Sequence, residues 1–411
     1  MMPNRSDRAQ MLKKIEDLVS AKFYDPTFNG KNWPEIVARH RDAILNADSE
    51  AAFEGAVMYM LSELQSSGVG ILGPETKITP RNSINASFRA IETANEGRRW
   101  VFQDVLPGGV AERAGVRPGD ALISIRGIEI EPPGQPAFEM QKRTPVVISR
   151  AGERREAHID LTTQRAKYKD NPYSEPKGVT ANLLNTTVGT VKVSLFPGLL
   201  GIDFANEVST IFHNTLKGAN RLLIDLRGNP GGGIGGLRLM SYLTPDRRPV
   251  GYSLDRNTFE QGYDRESLPR LNGIPRSKFE IPLLALKFFG KKSVVLETEG
   301  FGRQNFHGRT AILVNEHTTG AAEMLTQFAQ ENGLATVVGT HTPGCLVSRS
   351  AFKIGHGYRV VIPVAAYLSW NGQKIEGNGI TPDVPIDWSY ENAILGTDSQ
   401  LEGALKVVRN L

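Results

Sequence analysis

The run Leu-Leu-Ile-Asp-Leu-Arg-Gly-Asn-Pro-Gly-Gly-Gly, from Leu222 to Gly233, constrains this chain more than any other segment. Leu222, Leu223, Ile224 and Leu226 leave neither face of a strand polar, the pattern of a strand covered on both sides in a parallel sheet. The glycines that follow permit a tight turn and let backbone amides approach a ligand, and a helix N-terminus beyond them adds partial positive charge. Such a turn can hold an oxyanion, and alone it reads equally as a strand-to-helix turn with no ligand. Its spacing fits neither the phosphate-loop nor the dinucleotide pattern, which argues against a nucleotide site.

Around this strand the pattern alternates. Val191 to Val193, a helix about Phe204 to Leu216, a helix about Leu237 to Leu243, the strand Ala311 to Val314, a helix about Ala321 to Glu331, and strands Ala335 to Val338 and Tyr358 to Pro363 follow in turn. The alternation predicts an α/β core with a mainly parallel sheet over residues 183–411, interrupted by an extended polar excursion from Val250 to Gly308. Upstream, apolar residues at helical spacing (Met11, Leu12, Ile15, Leu18, Val19; Ile36, Val37, Ile44; Phe53, Val57, Met60, Leu61, Leu64) predict a helical N-terminal domain over residues 1–80, with Asp48 offering a helix start.

Residues 81–163 switch to short strands and turns. The stretch Val105 to Ile130, with Ala111 and Ala114 inward on a short helix, a Pro-Gly-Asp turn and then a strand, resembles a PDZ domain. That resemblance implies capture of an extended peptide as an added strand. The groove is expected at Ser83 to Phe88, with Ile84, Ala86 and Phe88 as candidate contacts, although this loop lacks the glycines that favour carboxylate capture. Residues 164–182, polar and charged from Gln164 to Lys177, read as a linker.

At 411 residues the chain is long enough for several cores, and a net charge of +4 with scattered basic residues gives no nucleic-acid stripe. The N-terminal residues lack the apolar core of a secretory signal, and no stretch approaches the length of a membrane span. A single cysteine, Cys345, excludes an internal disulfide. These features set expectations of a cytoplasmic protein with no membrane partner, a polypeptide ligand, and homo-oligomerisation left open.

The segment Asn-Glu-His-Thr-Thr-Gly-Ala-Ala-Glu, Asn315 to Glu323, forms a strand-to-helix elbow, where acyl-transfer nucleophiles commonly sit. Together with the PDZ-like run, the glycine-rich turn, Phe28 to Trp33 and Glu376 to Asp383, it resembles the C-terminal processing, or tail-specific, serine peptidases over nearly the whole chain. The Gly339 to Gly344 run is more similar to the tricorn-type branch than to the serine-lysine branch. The resemblance implies a ClpP/crotonase-like core, no cofactor and no metal.

In that family the elbow reads Ser-Ala-x-Glu, and the serine position here is Gly320. The tricorn-type base, a histidine after a serine near the end of the N-terminal helices, falls on Gly68, and its glutamate falls on Glu376. The lysine of the other branch falls on Cys345. The amides of Gly231, Gly232 and Ala321 stand as candidate oxyanion or substrate donors. Thr319 beside the elbow is expected to cap the helix rather than attack. Glu376 reads equally as a surface turn carboxylate.

The expectation is a peptide-binding homologue whose hydrolysis is lost or weak. The alternatives are a hydrolase rewired through Cys345 with His341 or His317, and a site completed by a partner chain. Whether the glycines are natural or engineered stays open.

Overall fold

A computed structural model describes residues 3–74, 84–139, 142–162, 178–288, 291 and 293–411. The linker expected from Gln164 to Lys177 and the start of the PDZ groove at Ser83 lie outside the described residues.

The central sheet runs Val384–Pro385, Thr336–Gly339, Arg309–Val314, Arg221–Asp225, Val188–Val193, Val179–Leu183. Every neighbouring pair is parallel except the last. Strand periodicity assigns the faces of Arg221–Asp225: Leu222 and Ile224 enter the core shared with helices Ile202–Thr210, Gly236–Leu243 and Ala321–Glu331. Leu223, together with Ala311, Leu313 and Val338, meets Ala404 and Val408 of helix Ser399–Asn410 on the other side. Burial on both faces explains the unbroken apolar run.

The Val250 to Gly308 stretch is not a polar excursion. Pro249–Asp255 and Val294–Glu297 are strands of a second sheet, in which Tyr358–Ser369 pairs along one edge with Val347–Gly355 and along the other with Gly70–Leu72 and then Pro249–Asp255. The signal was blurred because these strands are short and separated by polar loops.

The N-terminal helices Arg5–Lys22, Trp33–Leu45 and Glu50–Ser62 start at Asn4, Asn32 and Ser49, each of which caps its helix through its side chain. The third cap is Ser49, one residue after the expected Asp48. These helices bury Met11, Ile15, Val37, Phe53 and Met60 in the same core as Ile354, Tyr358, Val360 and Ile362 of the C-terminal hairpin. A boundary at residue 80 therefore does not separate two cores.

The small β domain orders its strands Ala86–Thr93, Gly97–Val105, Ala121–Ile125, Arg143–Arg150, Glu153–Asp160, with helix Val110–Arg113 closing its core through Val110 and Ala111. Among the described residues, Ala86–Thr93 is an edge strand of that sheet.

Candidate active site

Strand Arg309–Val314 leaves the sheet, turns through Asn315 to Gly320 and enters helix Ala321–Glu331. Gly320 sits at φ 65°, ψ −125°, a conformation costly for any residue with a Cβ. The expected strained elbow is present. A Cβ placed on Gly320 would lie 3.3 Å from Gly231 Cα, 3.7 Å from Pro230 O and 3.9 Å from Cys345 O. The direction a nucleophile would take is nearly open. The helix cap falls on Gly320, whose N–H donates to the Glu323 carboxylate at 2.9 Å, so Thr319 is not the cap.

The glycine-rich turn packs against this elbow. Thr319 N donates to Asn229 O, while Asn229, fully buried, accepts from Gly231 N at 2.8 Å and donates to Val193 O. Gly231 has φ 84°, and a Cβ there would lie 2.9 Å from Thr319 O and 3.0 Å from Ala321 N. Only glycine lets the two backbones come this close. Of the three amides proposed as donors, Gly231 N–H is thus taken by Asn229. Among the described residues, no acceptor is seen for the N–H of Gly232 or of Ala321, which leaves that pair as the candidate oxyanion donors.

Beneath the turn, Asp225 is clamped by Arg227 and Lys192, and Arg227 also reaches Asp398. Burial alone would raise the Asp225 carboxyl, but these two cations hold it far below the usual carboxylate range.

Glu323 ties the elbow to the loop opposite. It is fully buried and accepts from Gly320 N, Thr342 Oγ1, Gly344 N and Cys345 N, all at 2.7 to 2.9 Å. Burial raises its pKa while these hydrogen bonds pull the other way. The sequence offered Glu323 only as the end of the elbow pattern. Its signal was the Ser-Ala-x-Glu spacing, which places it one turn into the helix.

Glu376 is 5% exposed, not a surface turn residue. Its carboxylate accepts from Ser67 N (2.6 Å), Ser67 Oγ (2.8 Å), Ser66 Oγ (3.1 Å) and Leu346 N (2.9 Å). Gly320 faces the Cys345 carbonyl, Leu346 binds Glu376, Glu376 binds Ser67, and Gly68 follows. All four positions inferred from the sequence therefore share one locality. At Gly68, however, an added Cβ would lie 2.7 Å from Val347 Cγ2 and 3.3 Å from Pro363 Cγ. The space is filled.

Cys345 is half-buried beside Gly320, with its amide on Glu323. The two histidines considered as its partners are engaged elsewhere: His341 with Thr381 Oγ1 at 3.2 Å, His317 with Gln103 Oε1 at 3.2 Å. Among the described residues no His, Cys, Asp and Glu cluster suits a metal ion.

The small β domain rests on the elbow itself. Asn315 Nδ2 donates to both oxygens of Asp104, which also accepts from Ser87 Oγ, and Gln103 donates to Glu316. Burial pushes Glu316 upward, yet hydrogen bonds from its own amide, Thr340 and Gln103 hold it below the usual range. Of the expected groove residues, Ile84 (4% exposed) and Ala86 (6%) belong to this domain's core, and Ile84 O accepts from Ala111 N. Phe88 is half-buried and packs against Phe102 with the rings tilted at 48° and centroids 4.5 Å apart. A cavity of about 770 Å³ lies between the domain and the core, lined by Leu106, Arg117, Lys192, Arg227 and Leu395 but not by the elbow glycine, Cys345 or Glu376.

A parallel sheet whose strand breaks at a strained elbow, faced by a glycine turn with free amides, defines the frame of an acyl-transfer peptidase. The comparisons agree. Residues 187–386 match the model of peptidase family S41. The carboxyl-terminal-processing protease of Synechocystis sp. is 24% identical over 420 residues, covering 98% of this chain and 87% of that protein. The carboxy-terminal processing protease CtpA of Bacillus subtilis is 24% identical over 357 residues, covering 84% and 66%. Among solved structures, the photosystem II D1 C-terminal processing protease superposes with a TM-score of 0.58 at 18% identity, covering 98% of this chain and 97% of that one. The tricorn protease gives 0.51 at 18% identity, covering 98% of this chain and 36% of that one. The structural likenesses establish a shared fold. Residues 187–386 thus carry the S41 match, and the chain is similar to C-terminal processing peptidases over most of its length.

Proposed function

We propose that this chain binds extended polypeptide across the elbow and the small β domain, with hydrolysis lost or strongly reduced. The observation that carries this reading is the packing at Gly68. Val347 Cγ2 and Pro363 Cγ stand 2.7 and 3.3 Å from where a Cβ at position 68 would sit, so a base side chain there requires these neighbours to move. Gly320 meanwhile has no atom with which to attack a carbonyl.

What persists suits binding. The Ala321 amide lies at the elbow beside Gly231, and Ala86–Thr93, an edge strand among the described residues, can accept an added strand. Amide donation and binding alone retain roughly 10³-fold acceleration over water in systems stripped of their triad, far below a working peptidase. The relay carboxylate supports the same reading, because Glu376 has its oxygens satisfied by Ser66, Ser67 and Leu346 rather than by an imidazole.

The test uses one dye-labelled unstructured peptide in two assays. Anisotropy should rise on binding, while the peptide stays intact over hours by mass spectrometry. Cleavage at rates ordinary for serine peptidases overturns the proposal. If that cleavage is abolished by thiol alkylation or by Cys345→Ala, the rewired-cysteine reading replaces it.

A further inference from the structure

Residues 278–287 form a short 3-10 turn, Lys278–Glu280, running into helix Ile281–Lys287. An ordinary surface helix turns one apolar stripe inward and leaves the rest polar. This one is apolar on two sides. Ile281, Leu284 and the following Phe288 pack onto the main core. Phe279, Leu283 and Leu286, at i, i+4 and i+7, stand on the opposite side with exposures of 95%, 73% and 75%. Nothing in the described chain covers them.

The rim of this face is basic. Arg276, Lys278, Lys287 and Lys291 are all exposed, against Glu280 as the one acid of that stretch. Lys278 lies 3.7 Å from Asp203 of a neighbouring helix, a second acid at this rim, and Lys287 Nζ donates to the Arg270 carbonyl, so both stems lie along the surface.

From this arrangement we propose that the Phe279–Leu283–Leu286 face docks on an anionic lipid surface. An aromatic ring with nearly all its surface exposed is a protrusion, able to enter a headgroup layer. Protruding Phe and Leu ringed by Lys is the composition that enters the headgroup boundary of a bilayer, with cations on the phosphates. No described helix is long and apolar enough to cross a membrane, so the contact is peripheral. The expectation of no membrane partner rested on that missing span, which does not bear on surface docking.

The full chain is tested by co-sedimentation with vesicles of phosphatidylcholine alone and of phosphatidylcholine mixed with phosphatidylserine. Binding is expected to the mixed vesicles only, weakening as salt is raised. The variant Phe279→Ser/Leu283→Ser/Leu286→Ser, and separately Lys278→Glu/Lys287→Glu, should each lower vesicle affinity by roughly tenfold or more. These side chains are exposed, so unchanged thermal melts serve as the control for folding. Failure of the unaltered chain to bind mixed vesicles, or equal binding by the triple variant, overturns the proposal. So does a concentration-dependent dimer in light scattering that the triple variant abolishes, which would assign the face to a second copy. Peptide binding at the elbow is expected to be unaffected by either variant, which keeps the two proposals separable.

Discussion

The two glycines at the centre of this site look alike in the sequence and differ in the structure. Around Gly320 the backbone keeps a positive φ and the outward direction is nearly clear, with the closest approach to an added Cβ at 3.3 Å. Around Gly68 the backbone is ordinary and the outward direction is blocked at 2.7 Å by Val347. One position is strained in backbone and open in front. The other is relaxed in backbone and crowded by side chains. A side chain at the open position costs backbone strain alone, whereas one at the crowded position costs overpacking, because interiors tolerate little added volume.

The contrast is open to test, beginning where the effect is largest. Gly231→Ala places a methyl against two backbone atoms at φ 84°, where relief requires moving the elbow. We expect about 3 kcal/mol or more of destabilisation by urea unfolding, and a marginal loss would break the claim that turn and elbow are fitted to each other. Glu376→Gln turns an acceptor-only group into one whose NH₂ must face donors from Ser66, Ser67 or Leu346. Its expected cost is about 1–3 kcal/mol, measured the same way.

Gly68→His should cost about 1–3 kcal/mol through overpacking, partly recovered by Val347→Ala in the same chain. Absence of recovery would show that Val347 is not what fills the position. The smallest effect is expected for Gly320→Ser, about 1 kcal/mol of backbone strain with the fold intact and no peptide cleavage by mass spectrometry. Turnover by that single variant would reveal a base among the present side chains and end the reading of position 68 as decisive.

Much of the fold and site is legible in the residues alone. The Leu222 to Leu226 run announces a strand covered on both faces, since a strand with so little polar surface has no side to turn toward water. Gly320, Cys345, Glu376 and Gly68, the positions picked out through the family resemblance, lie along one chain of contacts. Local pattern could not reveal long-range closure. That Val347 and Pro363 fill the space at Gly68 depends on a hairpin far along the chain. That Asn229 Oδ1 captures the Gly231 amide depends on a rotamer, and that Ile84 and Ala86 face inward depends on register. The strands Pro249–Asp255 and Val294–Glu297 escape a local reading because Tyr358–Ser369, the strand that joins them to the rest of their sheet, is distant in sequence.

Glu323 carries a consequence for any ligand that arrives. By gripping amides of Gly320, Gly344 and Cys345 and the Thr342 hydroxyl at once, it fixes the relative placement of the elbow and the loop opposite, the two walls that a peptide would meet if the proposed binding holds. The disorder surrendered on association then falls mainly on the guest and little on the host, which favours long residence over rapid exchange.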